Sequence, residues 1–363
     1  MHVLTDARAV QKYVDGISRY SIGVLKALAA LRPEWRITAM ADPSALPLLK
    51  DLNIEAIESR VPRFKTGENR KLSPVIEEME PDVYFNFSMA GPTPGVPTML
   101  AVHDLMVLTV PGYFGNFILK NILAKLVFRF QISRSVHHAS SIPVLSEASL
   151  KDLKDTFPDS WEKGFVAGAG QDLFDGSETL PAERKDFILY VGNARAYKNL
   201  TRLIVAYSRL RAMDSSFPEM KMVVRRDRAY GRFVRELDDS FGRDGVTVLS
   251  AISDSELKEL YRTCSFLVIP SIKEGFGLPA LEAMAAGAPV VGSRGTSLEE
   301  IMGDAGILVN PESVTDIMRG MALARSSPEL RQEMGESGPA RASGFTWERT
   351  GSILAERISE MAQ

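Results

Sequence analysis

Residues 265–291 read SFLVIPSIKEGFGLPALEAMAAGAPVV. SFLVIPS is a continuous apolar run of the length and kind expected for a buried strand. A glycine-rich bend follows, then an alanine-rich helical stretch. Pro279 suits the first helical position, where a missing N–H costs nothing. APVV then resumes as a second apolar strand. Strand, turn, helix and strand in so short a span spell one unit of a parallel α/β sheet. The same stretch raises a chemical question, because Glu274 and Glu282 flank a Gly-Phe-Gly-Leu-Pro bend.

Working outward, the alternation covers the chain. HVLTDA, RITAMAD, PDVYFNF, PTMLAVHD and SIPVLS read as strands in the first half, with helical patterns at 17–31, 117–135 and 147–157. Pro and Gly thicken over 158–182, and GAGQDLFDGSETLPAE reads as a linker. FILYVG, KMVVRR, VTVLS, SFLVIPS, APVVGS and GILVN then form a second strand series, each trailed by a helix. At 363 residues the chain outgrows one hydrophobic core. The expected division is 1–175, 176–345 and a helical tail at 346–363. Two doubly wound domains bind ligands at the carboxyl ends of their strands, which suits a reaction joining two substrates.

Composition narrows the function. A formal charge of −3 leaves no domain-wide excess of Lys and Arg for nucleic acid. The single cysteine, Cys264, forms no internal disulfide and reads as a core thiol. No His, Cys and carboxylate cluster has metal-ligand spacing, and neither a leader pattern nor a membrane-spanning apolar run is present. The expectation is a cytoplasmic protein that needs no metal. A dehydrogenase is disfavoured, since no G-x-G-x-x-G follows a strand.

The glycines at 275 and 277 let backbone N–H groups approach a ligand closely, and a helix start suits a phosphate. Carboxylates at either end accept paired hydrogen bonds from vicinal hydroxyls. A ligand with a diol at each end and a diphosphate between fits that arrangement, which describes a nucleotide sugar. Taken by themselves, the two glutamates read as a solvated loop residue and a helix-start residue favoured by the dipole.

EGFGLPALEAMAAGAPVV resembles the signature of glycosyltransferase family 4, retaining transferases of GT-B fold, and the likeness extends over nearly the whole chain. It implies two Rossmann-like, doubly wound parallel-sheet domains facing a central cleft, the second binding the nucleotide sugar and the first the acceptor. FTWERTGSILAERISEMAQ would cross back as a helix onto the first domain. By resemblance Glu274 would hold donor-sugar hydroxyls and Glu282 the ribose diol, while the backbone of Gly275, Phe276, Gly277 and Leu278 would meet sugar and diphosphate. In LYVGNARAYKNL, Lys198 precedes Asn199, read as a helix N-cap, and would neutralise the leaving diphosphate. The family often has an arginine where Asn193 stands, and Arg195 could substitute. It usually has a glycine where Arg225 falls. Arg225 or Arg226 would reach the diphosphate or base, or else pair with Asp227 at an exposed strand end. Gly295 and Thr296 would abut the donor.

On the acceptor side, DARAVQKYVDGISRY resembles the family's first loop, where Gly16 would let the backbone pack on the diphosphate. AVHDLM puts His103 where the family's catalytic histidine falls, with Asp104 beside it. By pattern alone His103 reads as a satisfied structural residue.

From Asp104 to Glu147 no acidic residue intervenes. YFGNFILKNILAKLVFRFQISR combines Lys120, Lys125, Arg129 and Arg134 with Phe114, Phe117, Phe128 and Phe130. This 113–135 stretch fits contact with an anionic membrane, and equally an amphipathic helix whose Phe and Leu face the core.

The resemblance implies transfer of a hexose, with mannose from GDP-mannose leading, to a glycan or lipid-linked saccharide of a surface polysaccharide. UDP- or dTDP-sugar donors, a GT-B nucleotide-sugar epimerase and a non-catalytic nucleotide-sugar sensor remain as alternatives.

Overall fold

The computed structural model describes residues 1–11, 16–65, 67–111, 113–114, 118–174 and 183–363, without the side chains of Ile118 and Lys120. The chain forms two compact units, Met1–Gly170 with Phe345–Gln363, and Gln171–Gly344.

In the first unit, β1 (His2–Asp6), β2 (Arg36–Ala41), β3 (Glu55–Glu58), β4 (Val83–Asn86) and β5 (Thr98–Leu100) form a five-stranded sheet in the order β3-β2-β1-β4-β5. All four pairings are parallel. β6 (Ile142–Val144) and β7 (Gly164–Val166) pair in parallel. Bridges Met99↔Ser141 and Val102↔Val144 join β6 to the edge at β5. The C-terminal helix Trp347–Met361 packs on the helix Gly16–Leu31 in this same unit. Glycine permits that close approach, because a Cβ at Gly351 would lie 2.6 Å from the Ala27 Cβ.

The second unit is a six-stranded sheet in the order β10-β9-β8-β11-β12-β13. Its strands are β8 (Phe187–Gly192), β9 (Glu219–Val224), β10 (Val246–Leu249), β11 (Phe266–Ile269), β12 (Val290–Ser293) and β13 (Ile307–Val309), all paired in parallel. Ile188, Tyr190, Met220, Met222, Phe266 and Val268 are buried in the core between this sheet and the helices on one face.

Both orders reverse direction beside the first strand of their series. The crevice at the strands' carboxyl ends therefore opens between β1 and β4 in one unit and between β8 and β11 in the other. The strands read from the sequence are all present. β3 and β7 were not read from it, because EAIE is a charged, largely exposed edge and GFV is only half-buried. Of the linker stretch, 175–182 lies outside the described residues.

Candidate active site

The loop after β11 is shaped by glycine and closed by serine. Gly277 has φ +110°, and a Cβ there would lie 2.5 Å from Leu298 Cδ2, so only glycine fits on both counts. Ser297 Oγ donates to the carbonyls of Glu274 (3.1 Å) and Phe276 (2.8 Å), fixing the bend from the next helix. The helix Leu278–Ala285 starts immediately after, so Pro279 takes its second position and not its first.

The loop after β8 is tied to this bend. The Ile272 N–H donates to the Tyr197 carbonyl (2.8 Å). Asn199 sits at the start of the helix Leu200–Met213 with φ +61°, but its side chain caps nothing. Its Nδ2 donates instead to the carbonyls of Pro270 (2.8 Å) and Pro311 (2.7 Å), stapling three strand-end loops together. Asn199 thus holds the expected N-cap position, but the left-handed backbone turns its side chain toward those carbonyls and away from the cap.

These constraints bring Lys198 and Glu274 together, although they lie 76 positions apart. Lys198 Nζ donates to Glu274 Oε1 at 2.6 Å, and Ser271 Oγ donates to the same oxygen at 2.7 Å. The two side chains are only 10% and 8% exposed, so the pair is shielded from water where charge interactions are strong. Burial, reinforced by the Glu274 charge, pushes the Tyr190 phenol well above its ordinary range. Neutral Tyr190 donates to the Asn193 carbonyl at 2.9 Å.

Glu282 is buried on the first turns of the helix and accepts from Tyr261 Oη at 2.8 Å. Gly275 and Phe276 are buried and Leu278 is half-buried. Asn193 shapes its own turn, accepting from the Arg195 N–H at 3.0 Å and donating to Tyr197 Oη at 3.3 Å. Arg195 is partly exposed and reaches Asp227 at 3.4 Å. Arg225 and Arg226 are exposed at the end of β9, and Arg226 Nε donates to Ser250 Oγ at 2.8 Å. Asp227, expected to serve Arg225 or Arg226, also receives Arg195. The Gly295 N–H donates to Glu299 at 2.8 Å, and Thr296 caps its helix by accepting from the Leu298 N–H.

The remaining candidates lie in the first unit. His103 is buried, with Nε2 2.8 Å from the Phe87 carbonyl and its ring edge-on to Tyr20 at 4.7 Å. Asp104 accepts from the Met106 N–H at 2.9 Å. Gly16 is exposed and opens the first helix, while residues 12–15 of its loop lie outside the described residues.

Sequence reasoning missed Ser271, Ser297 and Tyr261 as partners of the two glutamates. It also missed a charged cluster in the first unit's crevice. Arg8 meets Asp6 (2.5 Å) and Glu68 (2.8 Å), and Tyr84 Oη donates to Asp6 (2.9 Å). Asp6-x-Arg8 at a strand end was the available signal.

Residues 175–341 match the family model described as glycosyl transferases group 1. The serotype-specific mannosyltransferase WbdA of Escherichia coli is 34% identical over 188 residues, 51% of this chain and 23% of WbdA. This chain therefore spans under a quarter of that relative. O-antigen chain mannosyltransferase B of Escherichia coli is 26% identical over 381 residues, covering 96% of this chain and 97% of its own. Among solved structures, sucrose-phosphate synthase from Thermosynechococcus elongatus superposes with a TM-score of 0.76 at 19% identity, covering 99% of each chain. That likeness identifies the fold as GT-B.

Proposed function

From the match of residues 175–341 to the glycosyl transferases group 1 we propose that the chain is a retaining hexosyltransferase of that group. It moves mannose from GDP-mannose to a glycan or lipid-linked saccharide in cell-surface polysaccharide synthesis, at the cytoplasmic side. The names of WbdA and O-antigen chain mannosyltransferase B support mannose as the sugar.

The observation that carries this reading is the shielded Lys198–Glu274 pair beside a helix start, at the crevice of the second sheet. The donor exchanges its partners. Its diphosphate takes the Lys198 ammonium, and the freed Glu274 carboxylate, still held by Ser271, accepts sugar hydroxyls. Glu282 accepts from the ribose diol, and the backbone from Gly275 to Leu278 lies along the sugar and diphosphate. Arg195, Asn193 and Arg225 border the donor within the second unit.

As the sugar–phosphate bond breaks, negative charge grows on the diphosphate, and Lys198 stabilises it without a metal. The acceptor hydroxyl then attacks the same face and gives its proton to the departing phosphate. The membrane contact expected through 113–135 stands on a separate feature, the exposed face of that helix.

Two measurements test the reading. GDP-mannose should raise the unfolding midpoint of the chain more than UDP- or dTDP-sugars do, since only a ligand favouring the native form shifts it. Incubation with GDP-mannose should release free mannose slowly, and Glu274→Ala should abolish that release. A shift only with UDP- or dTDP-sugars would overturn the donor, and unchanged hydrolysis by Glu274→Ala would overturn the site.

A further inference from the structure

We propose that the helix Ile118–His138 docks the first unit onto an anionic lipid bilayer, lying within its interface. Leu119 (80%), Ile122 (51%), Leu123 (63%), Leu126 (59%), Val127 (48%) and Phe130 (70%) are all strongly exposed on this one helix. Their spacings of three and four place them on a single face. Six of the twelve exposed large hydrophobic side chains among the described residues thus form one stripe, which isolated surface apolar residues do not do. The opposite face is already occupied, since Phe128, Ile132 and Val136 pack into the core beside Leu105, Val107 and Val144. A core role for the whole helix is excluded.

The helix is a fixed platform. On its inward side Lys125 Nζ donates to the Leu108 carbonyl (3.1 Å), and Asn121 Oδ1 accepts from the Phe114 N–H (3.0 Å). Further along, Arg134 donates to the Gly91 carbonyl (3.0 Å). No helix among the described residues is long and apolar enough to cross a membrane, so the stripe lies on a surface.

Charge selects the occupant. The helix bears Lys120, Lys125, Arg129 and Arg134, and no Asp or Glu occurs between Asp104 and Glu147. Arg129 is exposed one step around the helix from the stripe. A two-fold contact with a second copy would set this acid-free helix against its own positive charge. An anionic headgroup layer complements the exposed Arg129 and the net positive charge of the helix, while the acyl boundary takes the leucines and phenylalanine.

The test is flotation of the full chain with vesicles of phosphatidylcholine, alone or mixed with phosphatidylglycerol, at low and high salt. Binding should require phosphatidylglycerol and weaken with salt. Leu126→Glu/Phe130→Glu should lower partitioning by more than about a hundredfold. Arg129→Gln should lower it about fivefold. All three positions are exposed, so unfolding midpoints and any GDP-mannose shift should stay unchanged, which keeps this inference distinguishable from the transferase reading. If the double variant fails to fold, Leu119→Ser with Arg129→Gln takes its place. The proposal is overturned by no vesicle binding, by equal binding to both compositions, or by a lipid-free dimer that Leu126→Glu/Phe130→Glu splits into monomers.

Discussion

The two sheets share a strand order around their first strands, and each opens a crevice there, yet the crevices are filled in opposite ways. In the first unit one guanidinium meets two carboxylates, and Asp6, Arg8, Glu68 and Tyr84 are all buried. The spare bonding capacity is used internally. Arg8 also donates to the Val61 carbonyl (2.9 Å), and Glu68 accepts from the Phe64 N–H (2.7 Å). In the second unit one ammonium meets one carboxylate, held at the tip of a glycine bend beside a helix start. Topology supplies a crevice in both. What differs is how completely the chain engages the charges lodged there.

That contrast can be broken, most sharply at Arg8. Arg8→Met strands two buried carboxylates, and an uncompensated buried charge costs about 3–5 kcal/mol. The unfolding midpoint should fall steeply in thermal denaturation, and an unchanged midpoint would show the clamp to be ornamental. Lys198→Met/Glu274→Gln removes both charges of its pair, so stability should change by less than about 1.5 kcal/mol, within the range of neutral replacements of ion pairs. Turnover with GDP-mannose should nevertheless fall at least about a hundredfold, as for loss of a preorganised electrostatic group. Large destabilisation with activity retained would reverse the two roles.

Gly277→Ala tests the bend itself. The left-handed backbone and the contact with Leu298 should together cost about 1–3 kcal/mol in unfolding free energy. Donor-induced thermal shift should weaken in the same variant.

The smallest effect concerns pH. Burial pushes the Cys264 thiol from an ordinary 9.0 up to about 12. The unfolded chain therefore loses this proton first. Stability from the buried thiol is complete below pH 9 and declines as pH rises toward 12. Native protein should resist a thiol reagent at pH 8, and Cys264→Ala should flatten the alkaline slope.

Much of the second unit's crevice was legible because its signals are local. The glycine bend, the helix start and the flanking strands each follow from a few adjacent residues. The capping box at Ser253, with Ser253 and Glu256 bonding each other's backbone, is a local feature of the same kind. At Asn199 the cap position was legible but the side-chain bond was not, because a residue type that favours caps also tolerates the left-handed backbone found there. β3 escaped because a charged four-residue edge carries no periodic apolar signal.

The sequence by itself determined the alternation of strands and helices, the two strand series, and the bend that only glycine can make at 277. These depend on backbone preference and short-range apolar spacing. Only the tertiary structure decided that Lys198 meets Glu274, that Arg8 is shared by Asp6 and Glu68, and that Leu119, Leu126 and Phe130 face outward while Phe128 and Ile132 face in. The reason is that crossovers between strands set which loops become neighbours. A helix with apolar residues around much of its circumference has its buried face chosen by the sheet against which it packs.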